Sequence, residues 1–282
     1  MAGIQSVFGY EFQKDKFVKN ADFYIVMNGY PVSVEQMRGI LMNGKDKMGD
    51  KMYKKNLLAE MKIFEGVERK TIDYLWKVGK VCEYSKKTIL IRGKESVPYI
   101  YIQISGKSIM YNLTHLGKRK ILFIFGADTL LNEHICNQHI TSVYCETLEK
   151  SKIFVIPVLE FVKQMQVDFK LTENVLEAQE RKMWRLSHQL KNTMSSIFLE
   201  RKLASKLWKL SRDFGVETED GIEIDINMTI TFLADMLGVS RETTSRVCST
   251  LIEQGLIKIN KKRIRIADSE KLKQFYKFGK IE

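Results

Sequence analysis

The chain is predicted to be an α+β protein: a strand-rich region, then a long helix, then a C-terminal winged helix-turn-helix. Three patterns in its 282 residues predict this order. Residues 88–156 alternate apolar and polar side chains with a period of two, which is typical of strands. Residues 171–194 have a helical period, and residues 229–251 hold two short helical patterns on either side of Gly238.

The N-terminal region carries the weakest patterns. We expect residues 1–52 to form an extension of unclear role, and either Met48 or Met52 could be an alternative start. Residues 53–80 have apolar side chains at helical spacing, so short helices are expected there.

Short segments rich in β-branched and aromatic residues follow, punctuated by glycine. Their spacing is typical of a sandwich, barrel or jelly roll. The predicted strands are residues 89–92, 99–104, 108–112, 120–125, 140–146 and 152–156.

The long helical segment has an apolar residue at every seventh position. These positions are Leu176, Met183, Leu190 and Ile197. Charged residues cover the other faces, and such a narrow stripe favours a helix pair, so we expect residues 171–197 to form a dimer seam. The alternative is a single amphipathic helix that packs on its own domain.

Composition indicates a polyanionic partner. The formal net charge is +12, which favours nucleic acid first and an anionic membrane surface second. No apolar run approaches the roughly 20 residues that span a bilayer, and the first residues lack the apolar stretch of a signal peptide. A cytoplasmic protein without a membrane partner is therefore expected. The four cysteines are sparse and form no Cys-x-x-Cys pair, which argues against a disulfide framework.

Residues 229–252 are predicted to form the helix-turn-helix, after a strand at 221–228. Gly238 can adopt the left-handed conformation of the turn, and Ser240 is a favourable N-cap for the second helix. Val247, Leu251 and Ile252 are expected to bury that helix.

The second helix and the basic segment after it are the predicted DNA-binding elements. From Arg241 to the end the chain has 11 Lys/Arg and 5 Asp/Glu, a local net charge of +6. Arg246 could bond guanine, and Glu242 could accept from cytosine. The alternative is an ordinary helical hairpin with solvated charges. The predicted DNA contacts are Ser240, Arg241, Glu242, Thr243, Ser245 and Arg246 on the helix, and Lys261, Lys262 and Arg263 on the wing.

The motif Ser240-Arg241-Glu242-Thr243, followed by Arg246, resembles that of the Crp/Fnr family of regulators, and the likeness covers about residues 57–267. It implies a β-roll sensor domain at 53–170, a dimerisation helix at 171–197 and a winged helix-turn-helix at 198–282. It also implies a homodimer that binds a palindromic operator with TGA-type half-sites and has RNA polymerase as a partner. The family's β-roll glycines match Gly93, Gly106 and Gly117.

The chain departs from the cyclic-AMP-binding members of that family. Residues 126–131 lack the Gly-Glu pair, and Thr141-Ser142 stands where those members have Arg-Ser. No arginine lies between Arg119 and Arg181. Because an unpaired buried phosphate is costly, cyclic AMP binding is not expected. The N-terminal cysteines of iron–sulfur members are also missing.

No cofactor is predicted, although an unknown small-molecule effector could bind. Candidate effector residues are Thr129, Glu133, Thr141, Ser142, Trp184 and His188.

Two alternatives concern His134, Cys136 and His139. They could bind a transition metal or haem, and Cys136 could be a redox switch, although a polar loop with incidental side chains is the expected interpretation. A cupin-like metalloenzyme is the competing class. It would need a His-x-His ligand pair, which the sequence lacks, so no enzyme is expected.

Overall fold

The structure, a computed structural model, describes residues 24–27, 30–33, 58–136, 140–194 and 198–279. The alternative starts Met48 and Met52, and also His139 and Ile197, lie outside the described residues. The chain divides into two compact units: unit 1 is Met1–Met110 with Phe123–Arg181, and unit 2 is Tyr111–Leu122 with Lys182–Glu282. Among the helices described, none is long and apolar enough to cross a membrane.

The first half of the chain is mostly strand. After a short hairpin, the described residues include a 3-10 turn at Lys62–Phe64 and a helix at Arg69–Val78, and a series of antiparallel strands follows. These elements are β1 (Tyr24–Met27), β2 (Tyr30–Ser33), α1 (Arg69–Val78), β3 (Lys80–Tyr84), β4 (Ile89–Ile91), β5 (Tyr99–Ser105), β6 (Ser108–Leu113), β7 (Arg119–Phe125), β8 (Thr129–Leu130), β9 (Tyr144–Thr147) and β10 (Ser151–Pro157).

β1 and β2 pair with each other, and strands β3–β10 form two four-stranded sheets, with orders β3-β10-β5-β8 and β4-β9-β6-β7. β10 is central in the first sheet and pairs antiparallel with both β3 and β5. This arrangement confirms the predicted α+β fold with a β-roll. The strand predicted at 140–146 is wrong in its first half, because β9 begins only at Tyr144. The Thr141 amide instead donates to the Glu95 carbonyl, a loop contact.

The core of unit 1 lies between the first sheet and the flanking helices α1 and α2 (Val158–Val167). Ile100 and Ile102 of β5 and Phe154 and Ile156 of β10 are fully buried there. Phe161 of α2 packs into the same cluster. Burying five large apolar side chains contributes roughly 1.5–3 kcal/mol each relative to exposure.

Helices follow, and then the C-terminal strands. α3 (Phe169–Met194) starts in unit 1 and ends in unit 2. The remaining elements are α4 (Leu199–Phe214), β11 (Gly215–Thr218), β12 (Gly221–Ile224), α5 (Ile230–Leu237), α6 (Arg241–Glu253), β13 (Ile257–Asn260), β14 (Arg263–Ile266) and α7 (Ser269–Phe278).

The strands of unit 2 form one sheet in the order β11-β12-β14-β13. The strand predicted at 221–228 is too long, because β12 ends at Ile224. The next residues bond to other segments: the Asp225 amide donates to the Phe214 carbonyl, and the Met228 amide donates to the Lys262 carbonyl. β12 is therefore short, and the chain after it is tied to the wing turn.

Candidate nucleic-acid interface

Helix α5 is the first helix of the helix-turn-helix, and its ends follow local sequence signals. The Thr229 hydroxyl accepts the Phe232 amide at 3.1 Å, which satisfies one of the free N–H groups of the first turn. The helix ends at Gly238, whose φ of +77° places it in the left-handed region. The Gly238 amide donates to the Ala234 carbonyl at 2.7 Å, which closes the turn.

Helix α6 begins directly after that turn. The Ser240 hydroxyl accepts the Thr243 amide at 3.1 Å, so the predicted N-cap is present. The Thr244 hydroxyl donates to the Ser240 carbonyl at 2.9 Å. Together these bonds fix where α6 starts, and hence which of its side chains lie in the first two turns.

The two faces of α6 differ sharply. Thr244, Val247, Cys248 and Leu251 are buried, at the three- and four-residue spacing of one helix face. Ile252 was predicted to be buried, and this is wrong: it is 44% exposed, because it lies one residue past that face. The opposite face of the N-terminal half carries exposed polar residues, namely Arg241, Glu242, Ser245 and Arg246.

Glu242 stands among cations at the start of α6. Its own backbone N–H lowers the pKa of its carboxyl group, as do the Ser240 hydroxyl and the charges of Arg241 and Arg246. The carboxylate therefore stays ionised at neutral pH. An ionised carboxylate is an acceptor only, which suits a cytosine amino group.

The wing is the hairpin of β13 and β14. Its turn contains Lys261, with a φ of +54°, and Lys262, and both side chains are exposed. Arg263 lies at the first position of β14, where its guanidinium pairs with Asp225 at 2.5 Å. Arg265 pairs with two carboxylates, those of Asp220 and Glu223. Among the described residues, neither lysine forms an ion pair with a carboxylate, whereas Arg263 already has one.

All nine predicted DNA-contact residues lie in unit 2, either at the start of α6 or in the wing. Thr243 is half-buried and bonds Ser240, so its side chain serves the cap as well. Nothing in the sequence pattern indicated the Arg263–Asp225 pair, since its partners are 38 residues apart. Whether these nine residues touch DNA stays a prediction.

Glu133 organises the candidate effector residues of unit 1. Its carboxylate accepts the Thr141 hydroxyl at 2.8 Å and the Ser142 hydroxyl at 3.3 Å. The His134 ring nitrogen lies 3.6 Å away. Thr129 does not join this group, because its hydroxyl donates to the Ala127 carbonyl at 3.2 Å.

Trp184 and His188 form a separate pair on the part of α3 that belongs to unit 2. Their ring centroids are 4.0 Å apart, as one helical turn allows. Trp184 is 60% exposed, so its indole is not enclosed in a pocket of the described chain.

The metal and redox alternatives depend on the loop before β9. Cys136 is exposed, whereas Cys145 is buried within β9. In the part of the chain that the structure describes, no group of three His, Cys, Asp or Glu side chains converges as metal ligands would. His139 is outside that part.

The heptad positions of α3 are exposed in the single chain. Leu176 is 55% exposed and Met183 is 63% exposed. Leu190 is 60% exposed, one heptad further on. A stripe of large apolar side chains at this spacing is what a partner helix covers.

Comparison with known proteins agrees with this architecture. Residues 201–275 match the Crp-like helix-turn-helix domain. The probable transcriptional regulator flp of Lacticaseibacillus casei is 29% identical over 68% of this chain and 85% of its own length. The CRP-like cAMP-activated global transcriptional regulator of Mycobacterium tuberculosis is 23% identical over 77% of this chain and 96% of its own.

A solved structure has the same fold. The c-di-GMP responsive global regulator CLP of Xanthomonas campestris superimposes with a TM-score of 0.61. The match covers 71% of this chain and all of that chain, at 17% identity.

A β-roll followed by a long helix and a winged helix-turn-helix defines a DNA-binding transcription regulator rather than an enzyme. Residues 201–275 are a Crp-like helix-turn-helix domain, and the chain is similar to transcriptional regulators of the Crp/Fnr type.

Proposed function

We propose that this regulator binds a palindromic operator as a homodimer, with α6 of each protomer in a major groove and the wing on the phosphate backbone. The observation that carries the proposal is the division of α6 into a buried face and an exposed face with Arg241, Ser245 and Arg246. The N-terminal end of a recognition helix is the part that reaches base edges. Its cap at Ser240 supports a fixed start for that end.

Each exposed residue has a role in this proposal. Arg246 bonds guanine O6 and N7, and Glu242 accepts from cytosine N4. Lys261 and Lys262 pair with phosphates, which positions the helix without reading sequence. Arg263 is a weaker candidate, because a phosphate must compete with Asp225 for it.

The dimer is proposed to form along α3. The exposed stripe of Leu176, Met183 and Leu190 supplies the apolar surface. A two-fold dimer presents two copies of α6, and so requires two half-sites in inverted orientation. The family resemblance of residues 240–246 suggests a TGA-type core in each half-site.

The sensor is proposed to respond to an effector other than cyclic AMP. Thr141 and Ser142 stand at the family's phosphate-binding position, and their hydroxyls both donate to the Glu133 carboxylate. The phosphate of cyclic AMP at this position would face the Glu133 carboxylate rather than a guanidinium, and two like charges repel each other. The M. tuberculosis relative is described as cAMP-activated and the X. campestris regulator as c-di-GMP responsive, so ligands differ among similar proteins.

An effector acts on this regulator only by binding one conformation better than the other. Contact with RNA polymerase is part of the proposal, because a regulator of transcription must change how the polymerase uses a promoter. We place the protein in the cytoplasm, together with its DNA.

Fluorescence anisotropy tests the DNA-reading assignment. Wild type and Arg246→Ala are compared on a labelled palindrome with two TGA half-sites and on a scrambled duplex, at two salt concentrations. Losing a bidentate base contact is expected to weaken operator binding by about 1–3 kcal/mol, or roughly fivefold to 150-fold. Binding to the scrambled duplex should change much less.

Lys261→Gln is the matched comparison. This substitution should weaken binding to both duplexes to a similar degree. It should also reduce the magnitude of the slope of log affinity against log salt by about one. Equal behaviour of the Arg246 and Lys261 variants on the two duplexes would contradict the assignment.

A further inference from the structure

Unit 2 contains a group of lysines that DNA reading by α6 does not use. Lys202, Lys206 and Lys209 lie on α4 at positions i, i+4 and i+7, and so share one helix face. Lys120 of β7 lies against the same face and belongs to the same unit. All four side chains are partly withdrawn from solvent. We call these four residues the lysine cluster.

Lys120 is held in place by the helix-turn-helix. Its ammonium group donates to the Met236 carbonyl at 2.9 Å, in the last turn of α5. A β-carbon added to Gly238 would lie 2.9 Å from the same nitrogen. The cluster therefore adjoins the turn between α5 and α6, and Lys120 meets the negative end of the α5 dipole.

Among the described residues, no ion pair joins Lys120, Lys202 or Lys206 to a carboxylate. Asp213 lies near Lys209, but its carboxylate pairs with Arg185 at 3.5 Å.

The charges of the cluster therefore oppose one another. Burial, and then the ammonium groups of Lys120 and Lys209, lower the pKa of Lys206 to about 8. Burial and the charge of Lys202 lower the pKa of Lys120 in the same way. Half-buried like charges without a counterion are costly, and a bound anion would relieve that cost.

We propose that the lysine cluster binds a small multivalent phosphate anion. Phosphate oxygens accept from ammonium groups in charge-assisted hydrogen bonds, and several lysines can share one phosphate group. Such an anion would bridge Lys206 of α4 and Lys120 of β7. Because Lys120 also bonds Met236, occupancy would act on the end of α5. The cluster shares no residue with the Glu133 group or with the exposed face of α6.

Calorimetric titration of the full-length protein with pyrophosphate, at constant ionic strength, tests the proposal. Lys206→Met keeps the aliphatic length and removes the central charge. It is expected to weaken pyrophosphate binding about tenfold, the usual effect of one charge-assisted bond. Lys271→Met removes an exposed lysine of α7 and should leave the affinity unchanged. If Lys206→Met folds poorly, Lys202→Met removes a charge at the edge of the cluster and should also weaken pyrophosphate binding.

Two further measurements decide the outcome. NMR of the lysine side chains should show the pKa of Lys206 rising from about 8 when pyrophosphate is added. Repeating the titration with excess scrambled duplex separates the sources of phosphate: displaced pyrophosphate assigns the site to the DNA backbone, and retained pyrophosphate assigns it to a free anion. Absence of pyrophosphate binding by wild type, or equal loss in Lys206→Met and Lys271→Met, would overturn the proposal. Operator binding is measured separately, so the two proposals fail independently.

Discussion

Replacing Met183 by glutamine should weaken the dimer while leaving each protomer folded. Glutamine has nearly the length of methionine and a similar helix propensity, so α3 is not disturbed. Full burial of such an apolar side chain is worth about 1.5–3 kcal/mol. Met183 is 63% exposed in the single chain, so about two-thirds of that value, roughly 1–2 kcal/mol, remains to be gained from a partner.

A two-fold interface contains this residue twice, so the loss doubles to about 2–4 kcal/mol per dimer. The dissociation constant of the dimer should therefore rise about thirtyfold to a thousandfold. Sedimentation equilibrium over a range of protein concentrations measures it directly.

Leu159→Gln is the matched control. Leu159 is an exposed apolar residue of α2, 49% exposed and outside the heptad stripe. It should leave the dissociation constant unchanged. A Met183→Gln variant that dimerises as tightly as Leu159→Gln would refute the reasoning that α3 is the seam.

Three further results are expected, all measured by urea unfolding of the DNA-binding unit within the full-length protein. Ser240→Ala removes the cap bond of α6 and should lower the unfolding free energy by about 1 kcal/mol, whereas Ser249→Ala on the exposed face should stay within about 0.5 kcal/mol; equal effects would contradict the cap. Gly221→Ala should lower the unfolding free energy by more than about 2 kcal/mol, because φ of Gly221 is +120° and the new β-carbon would lie 2.2 Å from a backbone carbonyl oxygen. An unchanged unfolding free energy would contradict that backbone geometry. Lys206 has a pKa depressed to about 8, so the unfolded state binds its proton more tightly and stability should rise as pH rises from about 8 towards 10.5. Lys206→Met should be more stable than wild type at pH 7, with the difference shrinking over that window, and a pH-independent difference would contradict this linkage.

Local signals made the helix-turn-helix predictable. Ser240 and Gly238 specify a cap and a left-handed turn within a few residues, and both features are present. The period change at the start of α3 was also visible, because its stripe repeats over more than two heptads.

Features set by distant contacts were not predictable. The sequence pattern extends two strands over residues 140–143 and 225–228. The amide of Thr141 bonds to a loop carbonyl instead, the amide of Asp225 bonds to the last residue of α4, and the amide of Met228 bonds to the wing turn. Ile252 is apolar yet exposed, because burial follows the packed face of α6 and not hydrophobicity alone. The approach of Lys120 to Met236 joins residues 116 positions apart, which no local pattern encodes.

Selection of bound duplexes from a random pool tests the central claim most directly. The full-length wild type should enrich an inverted repeat, with half-sites separated by about one helical turn and a TGA-type core in each. Arg246→Ala should relax one base position in both half-sites and leave the other positions unchanged. Enrichment of single, non-repeated sites, or an unchanged motif in the variant, would contradict a dimer that reads DNA with the N-terminal half of α6.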